Sequence, residues 1–474
     1  MGRLDAPIVD ACGRGLRTRW YIVALFGAFV LAPSTAGAAT DARPNIVVVM
    51  VDDVGVDVRR VWNRMPTIQG LFLRQGIRFA NAIGETPLCC PGRAGFLTGQ
   101  HTHNHGVIEN DARLFDPSLT IATRLQDAGY HTLLAGKYMH HTMALVDKTP
   151  PGWHHLAINP GGYYNISWWV DGVQQRPAAY STDVLGRHAV RWIRAAPAAR
   201  PLFAFLTPFA AHDGKDADGT AVRYQPAPAA RHIGDPRCAD IGAVRPGGYN
   251  EADVSDKPSA IRSQGLVPYG DGWPLQRLCE SMLAVDELIT KVKAELTARG
   301  RLANTIWLLT SDNGMGYGAH RVPAKLAPYT TPIPLWVTWT AGRGSRPRVE
   351  WQHVSNIDLA PTLASVARTS MPEADGISFA RLLRDRPLTL TRDALLESQP
   401  KDYSPQGGIP AWWGVRTTSA SGLGPWVYTE WSTGERELYD LVADPDQLVN
   451  VADRPDHANT QSVLAARLAE LRTD

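Results

Sequence analysis

Hydrophobic patterning first becomes decisive at "PNIVVVMVDD" (residues 44–53), where six consecutive apolar residues, mostly β-branched, end at two acids. A run that is apolar on both faces belongs to a central strand of a helix-covered sheet. "HTLLAGK" (131–137), "PLFAFLTPF" (201–209), "TIWLLTSDN" (305–313) and "IPLWVTW" (333–339) predict further strands of the same kind. Between them, "SLTIATRLQDAG" (118–129), the segment 182–196 and "RLCESMLAVDELITKVKAELTARG" (277–300) carry apolar residues every three or four positions, with Gly300 as a stop signal. Alternating strand and helix signals predict an α/β fold: a large α/β/α sandwich around a mixed, mostly parallel sheet.

Two stretches break the rhythm. Residues 213–272 are rich in Pro, Gly, Asp and Arg without a sustained period, and a connection of that length is read as a wall or rim of the active site. Beyond a last helix in "VSNIDLAPTLASVA" (354–367), "AWWGVRTT", "GPWVYTEW" and "RELYDLVAD" predict a small antiparallel sheet, and "QSVLAARLAELR" (461–472) a closing helix. The expected division is a signal peptide at 1–39, a catalytic α/β domain at 40–375 and a C-terminal α+β subdomain at 376–474.

The signal peptide rests on Arg14, Arg17 and Arg19 before the apolar run "WYIVALFGAFVLA", followed by small residues that offer cleavage near Ala38 or Ala39. A retained anchor is the alternative, but the run is short for a span. Residues 1–39 hold four arginines and two aspartates of the chain's 48 basic and 46 acidic side chains, leaving 44 of each. That balance gives no reason to expect nucleic acid as a partner. Export implies an oxidising compartment, and Cys238 with Cys279 is the expected bridge if one forms.

Chemistry is expected where strands end. Asp52 and Asp53 follow one strand, Asp312 and Asn313 another, and in an open α/β sheet such ends converge on the ligand. Together these groups make a hard oxygen cage suited to Ca²⁺ or Mg²⁺ rather than zinc, although either pair alone could be a helix or turn cap. "CCPGRAGFLTG" (89–99) reads as a helix start, with Cys89 and Arg93 four residues apart on one face. Cys90 fits a buried structural thiol. Lys137, His140, His212 and Lys325 add positive charge, which suits an anionic ester. The run His101, His103 and His105 resembles a metal motif, but without cysteine partners a zinc site there is a weak reading.

These residues carry a family resemblance. Cys89, Pro91 and Arg93 match the Cys-x-Pro-x-Arg signature of the type I, formylglycine-dependent sulfatases of the alkaline phosphatase superfamily. "VDD" at 51, "AGKY" at 135, "SDNG" at 311, Lys325 with Tyr329, and "ELYDLVADPDQLVN" follow in order. "HNHGV" at 103, "GKYM", "GYYNISWWVDG" and "YNEADVSDKP" resemble the N-acetylglucosamine-6-sulfatase group in particular. The resemblance implies that a formylglycine-generating enzyme converts Cys89 to Cα-formylglycine, whose hydrate is a geminal diol. One hydroxyl, held by Arg93 beside the metal, would attack sulfur and expel the alcohol; the second would drive elimination of sulfate. It further implies Asp52, Asp53, Asp312, Asn313 and residue 89 as ligands of calcium. Lys137 would bind sulfate and orient the diol, and His212 and Lys325 would contact sulfate and protonate the leaving oxygen.

The sequence also departs from the family. Met139 stands where many relatives have a histidine, leaving His140 one place late. Gly92 replaces the usual serine, which removes a hydroxyl and loosens the helix start. "TTPIP" replaces charged residues after Tyr329. The expected function is hydrolysis of sulfate monoesters, on a sulfated sugar such as a glucosamine 6-sulfate, in a secreted protein without stable membrane insertion. The alternatives are a phosphonate or phosphate ester hydrolase of the same superfamily, and a non-catalytic protein that binds sulfated glycans.

Overall fold

The computed structural model describes residues 43–142, 149–342, 346–399 and 408–473. The expected signal peptide, with Cys12, lies outside the described residues. Its strands are β1 (Asn45–Val51), β2 (Ile77–Ile83), β3 (His131–Lys137), β4 (His155–Asn159), β5 (Trp168–Val170), β6 (Val173–Gln175), β7 (Leu202–Thr207), β8 (Ala243–Val244), β9 (Trp273–Pro274), β10 (Thr305–Ser311), β11 (Leu335–Trp339), β12 (Arg348–Ser355), β13 (Ala394–Ser398), β14 (Trp412–Arg416), β15 (Trp426–Trp431) and β16 (Arg436–Asp440). Ten of them form one sheet in the order β12-β2-β11-β10-β1-β7-β3-β4-β5-β6. From β10 to β4 every neighbouring pair is parallel.

The continuous apolar runs take the central places, as double burial requires: every residue of β1, β3, β7 and β10 is buried. On one face the helices Ser181–Ala195 and Gln276–Ala298 pack on each other. On the other lie the helices Cys89–Thr98, Ile121–Asp127 and Leu359–Val366. β11, read from the sequence as another buried strand without a direction, runs antiparallel to both β10 and β2, as the mixed sheet allows. An apolar run reports burial on both faces and carries no information on direction. β2 and β12 gave no clear sequence signal because "IRFANAI" and "RVEWQHVS" mix polar side chains into the run.

β13 to β16 form the predicted antiparallel sheet, with β13 an addition to the three strands read from the sequence. The long excursion after residue 212 holds only short elements and is pinned to the helix Gln276–Ala298 by the Cys238–Cys279 disulfide. Among the described residues no helix is long and apolar enough to cross a membrane.

Beside the helix Cys89–Thr98, the histidine run meets two carboxylates from elsewhere in the chain. His101 Nδ1 lies 2.8 Å from Glu85 Oε2, and His103 Nδ1 lies 3.1 Å from Glu397 Oε1 on β13. Ser355 Oγ donates to Glu85 at 2.9 Å, and the Glu397 amide donates to the Glu85 carbonyl at 3.0 Å. Both carboxylates are buried. The cluster therefore staples the small sheet to the end of β2 and to the loop that follows the helix.

Burial alone would depress the His101 imidazole, but the facing Glu85 lifts it to about 9. A folded value above the unfolded one adds stability that is complete below about pH 6.5 and is lost as pH rises through 9, here on the order of 3 kcal/mol. Urea unfolding midpoints are expected to fall between pH 6.5 and 9.5 in the native protein and to vary much less in His101→Gln. An equally steep decline in the variant would remove His101 from the account.

Candidate active site

Neighbouring strand ends supply the site. β1 runs into Asp52 and Asp53, β10 into Asp312 and Asn313, β3 ends on Lys137, and His212 follows β7. β1 is hydrogen-bonded to both β10 and β7, with Val51 opposite Ser311, so the acidic pairs emerge side by side. Asp53 adopts φ 57°, an αL conformation that costs a non-glycine residue roughly 1–2 kcal/mol. Its amide donates to Asp312 Oδ1 at 3.1 Å, and the Asn313 amide reaches the same oxygen at 2.9 Å.

Cys89 opens its helix after an extended Leu88, with Pro91 in the first turn as its missing N–H allows. The Cys89 Sγ lies 3.7 Å from Asp52 Oδ1, 3.8 Å from Asp53 Oδ1 and 3.0 Å from Lys325 Nζ. Gly92 explains how the helix comes so close. A Cβ at this position would stand 2.1 Å from the carbonyl oxygen of Asp312, so the helix backbone rests on the strand end that carries Asp312. The sequence reading treated Gly92 as a loosened helix start; the structure makes it a close-packing position.

Four buried or nearly buried cations balance the carboxylates. Arg93 donates from Nε to Asp312 Oδ2 at 2.8 Å, from Nη2 to Asp52 Oδ2 at 3.1 Å and from Nη1 to the Lys137 carbonyl at 2.5 Å. The guanidinium expected to hold the nucleophile's oxygen is thus occupied in orienting two carboxylates. Lys137 Nζ lies 2.6 Å from Asp52 Oδ2, Lys325 Nζ 2.5 Å from Asp53 Oδ1, and His212 Nε2 3.3 Å from Asp53 Oδ2.

The charge balance sets the protonation states. Burial would raise the Cys89 thiol, but Lys137 and Lys325 outweigh it and hold it well below its usual range. His212 is held well above the usual imidazole value, because Asp53 and Asp52 outweigh the effect of burial. Cys90, by contrast, is pushed up to about 12 by burial and accepts the His140 amide at 3.1 Å, so the second thiol is inert.

Met139 points into the apolar core, and His140 takes the next place, lining a cavity of about 470 Å³ that His212 and Phe209 also border. His140 Nε2 is buried and has no partner among the described residues. Two neighbours of His212 were missed in the sequence. Asp213 Oδ1 lies 2.8 Å from His212 Nδ1, and Phe209 stacks on the imidazole at a centroid distance of 4.6 Å. The adjacent "HD" was the only available signal for Asp213, and nothing in a strand-end phenylalanine distinguishes it from core. The rim expected from residues 213–272 is represented here by Asp213 to Ala217 and by Gly219, which border this cavity.

The donor set fits a divalent cation. Ligand atoms of Asp52, Asp53, Cys89 and His212 lie within 4.8 Å of one another. Asn313 Oδ1 is buried and has no partner among the described residues, while its Nδ2 donates to Asp53 Oδ1 at 2.8 Å. An orphaned amide oxygen among three carboxylates is chemistry for a hard cation.

Comparison with known proteins adds two family matches: sulfatase over residues 44–369, and the N-sulphoglucosamine sulphohydrolase C-terminal region over 328–474. The chain is 29% identical to an arylsulfatase of Volvox carteri, covering 92% of this chain and 75% of that protein. It is 28% identical to the N-acetylglucosamine-6-sulfatase of Homo sapiens, covering 88% and 82%. A solved structure in complex with its substrate D-glucosamine-2-N,6-O-disulfate superposes with a TM-score of 0.75 at 22% identity, covering 91% of this chain and 98% of that one.

The contact at Gly92 can be tested directly. Gly92→Ala is expected to push the helix off the Asp312 carbonyl, to displace Cys89 from Asp52 and Asp53 and to lower turnover by about 100-fold, while a protein that remains folded by circular dichroism keeps its β10 core. Turnover within twofold of the native value would show that the close approach is not needed.

Proposed function

The chain belongs to the sulfatase family, and from that premise we propose that this sulfuric ester hydrolase acts on a sulfated sugar such as a glucosamine 6-sulfate, with residue 89 matured from cysteine to Cα-formylglycine. The observation that carries the proposal is the seat of Cys89: a helix start wedged between Asp52, Asp53 and Lys325 in a pocket where positive charge converges. Likeness to glucosamine-6-sulfatases supports the sugar class. A calcium ion, with magnesium as the alternative, would be held by Asp52, Asp53, Asp312, Asn313 and residue 89, and it would supply neutralising charge beside the ester. The aldehyde of formylglycine, as its hydrate, would supply the oxygen nucleophile that a thiol lacks.

The chain's own residues provide the rest. Lys137 and Lys325, both kept charged because Asp52 and Asp53 outweigh the cost of burial, would bind the sulfate oxygens. Arg93 fixes Asp52 and Asp312 so that the ligand set is held in shape before substrate arrives. His212, held protonated, would deliver a proton to the leaving alcohol oxygen, the position where an acid contributes most. His140, on the cavity wall one place after Met139, would accept a proton as sulfate is released. Maturation would require a formylglycine-generating enzyme. Export to an extracytoplasmic space accords with the Cys238–Cys279 disulfide.

Three measurements test this reading. Mass spectrometry of the peptide containing residue 89 should show a mass about 18 Da below that of cysteine, or near the cysteine value for the hydrate, with aldehyde trapping as the discriminating signal. No trapping in protein made with a competent maturation system would defeat the catalytic proposal and leave a glycan-binding protein. Calcium titration by calorimetry should give one site that Asn313→Ala weakens by at least tenfold; stoichiometric zinc in fully active protein would contradict the oxygen cage. Finally, turnover on a sulfated glucosamine should exceed that on a phosphonate ester, and the reverse order would assign the chain to phosphonate chemistry.

A further inference from the structure

A second concentration of positive charge lies outside the catalytic pocket. A cavity of about 620 Å³ opens between the segment following Asp53 and the strands β2, β11 and β12, with Arg59, Arg78 and Arg348 in its walls and no acidic side chain among its lining residues. Arg348 is paired with Glu350 at 2.6 Å. Among the described residues no carboxylate faces Arg59 or Arg78. Arg78 is half-buried, and burial together with the neighbouring Arg59 charge lowers its affinity for its own proton. Two guanidiniums that repel each other across a concave surface are an unfavourable arrangement until an anion enters between them.

The floor of the cavity is apolar and firm. Arg78 is the register partner of Trp336 on β11, and Trp336 packs edge-to-face on Trp62 at 5.4 Å. Phe79 and Leu335 contribute to the same lining. The volume is in the range that holds a sugar ring with its substituents, and an apolar face beside cationic rims suits a pyranose bearing an acidic group. Its location is connected to the active site through the chain: Val56 is three residues past Asp53, and Leu335 is the register partner of Thr310, two residues before Asp312. The cavity therefore runs along the outer strands, from the segment that follows Asp53 to the starts of β2 and β12.

We propose that Arg59 and Arg78 form a second anion-binding site, which seats a sulfate or carboxylate group of a sulfated oligosaccharide apart from the ester being cleaved. The oligosaccharide as ligand rests on the proposed sugar substrate; the anion chemistry of the cavity does not. The same oxyanion chemistry could be satisfied by free inorganic sulfate, the product of the reaction, and the experiment separates the two.

Full-length protein with Cys89→Ala, which cannot turn over, is titrated by calorimetry with a sulfated glucosamine-containing tetrasaccharide and, separately, with sodium sulfate. The Arg59→Ala/Arg78→Ala double variant is expected to lose about tenfold to 100-fold in tetrasaccharide affinity, with the loss shrinking at high salt, and to leave sodium sulfate binding unchanged. Arg59→Glu, a substitution at an exposed position, should give a comparable loss and guards against misfolding of the double variant. On the maturated enzyme, turnover of a small aryl sulfate should stay within twofold of the native value in both variants. Tetrasaccharide affinity equal to that of the parent overturns the proposal. An equal loss for both probes assigns the cavity to free sulfate and overturns the oligosaccharide. A protein that binds the tetrasaccharide through these arginines yet cleaves no aryl sulfate would retain the second site while removing the catalytic reading.

Discussion

The site depends on keeping three carboxylates, Asp52, Asp53 and Asp312, out of water and within reach of one another. Buried like charges at hydrogen-bonding distance are tolerated only when compensated, and removal of one partner from such a group leaves an uncompensated charge that costs several kcal/mol. Arg93, Lys137, Lys325 and His212 supply the compensation from four different parts of the chain. Lys137, Lys325 and His212 all meet Asp52 or Asp53 at the end of β1, and Arg93 ties Asp52 to Asp312 at the end of β10, so none can move without changing the balance of the others. The thiol at Cys89 inherits its acidity from this arrangement, and Cys90, one residue further on, does not.

The sheet is the reason such distant residues can cooperate. Parallel pairing of β1 with β10 brings residues 260 positions apart into adjacent register, and its pairing with β7 does so for residues 157 apart; the unbroken apolar runs that allow both are visible in the sequence without any alignment. The acids at the ends of two such runs were legible for the same reason, as were Lys137 and His212 at the ends of two more. What could not be read was anything that depends on lateral placement. The antiparallel direction of β11 leaves no trace in "LWVTW". Glu85 and Glu397 look like ordinary surface acids until the fold sets them beside His101 and His103. Gly92 reads as a weak helix residue because the atom that makes it necessary, the carbonyl oxygen of Asp312, is 220 residues away.

The C-terminal sheet belongs to the same logic. Its β13 places Glu397 against the short helix Thr102–His105 that follows the helix Cys89–Thr98, and its β16 places Glu437 against Tyr329, four residues past Lys325. Both contacts hold chain segments that lead into the pocket, so the small sheet braces the loops rather than the strands. Such bracing matters because loops, unlike strands, have no ladder of hydrogen bonds to fix them.

The depth of Cys89 has a temporal consequence. With no solvent-accessible surface left on this residue once its helix has docked, a second macromolecule cannot close around it in the finished protein. An enzyme that edited this side chain would therefore have to act on the nascent or unfolded polypeptide, and the order of synthesis, editing and collapse would then govern which side chain the folded molecule carries.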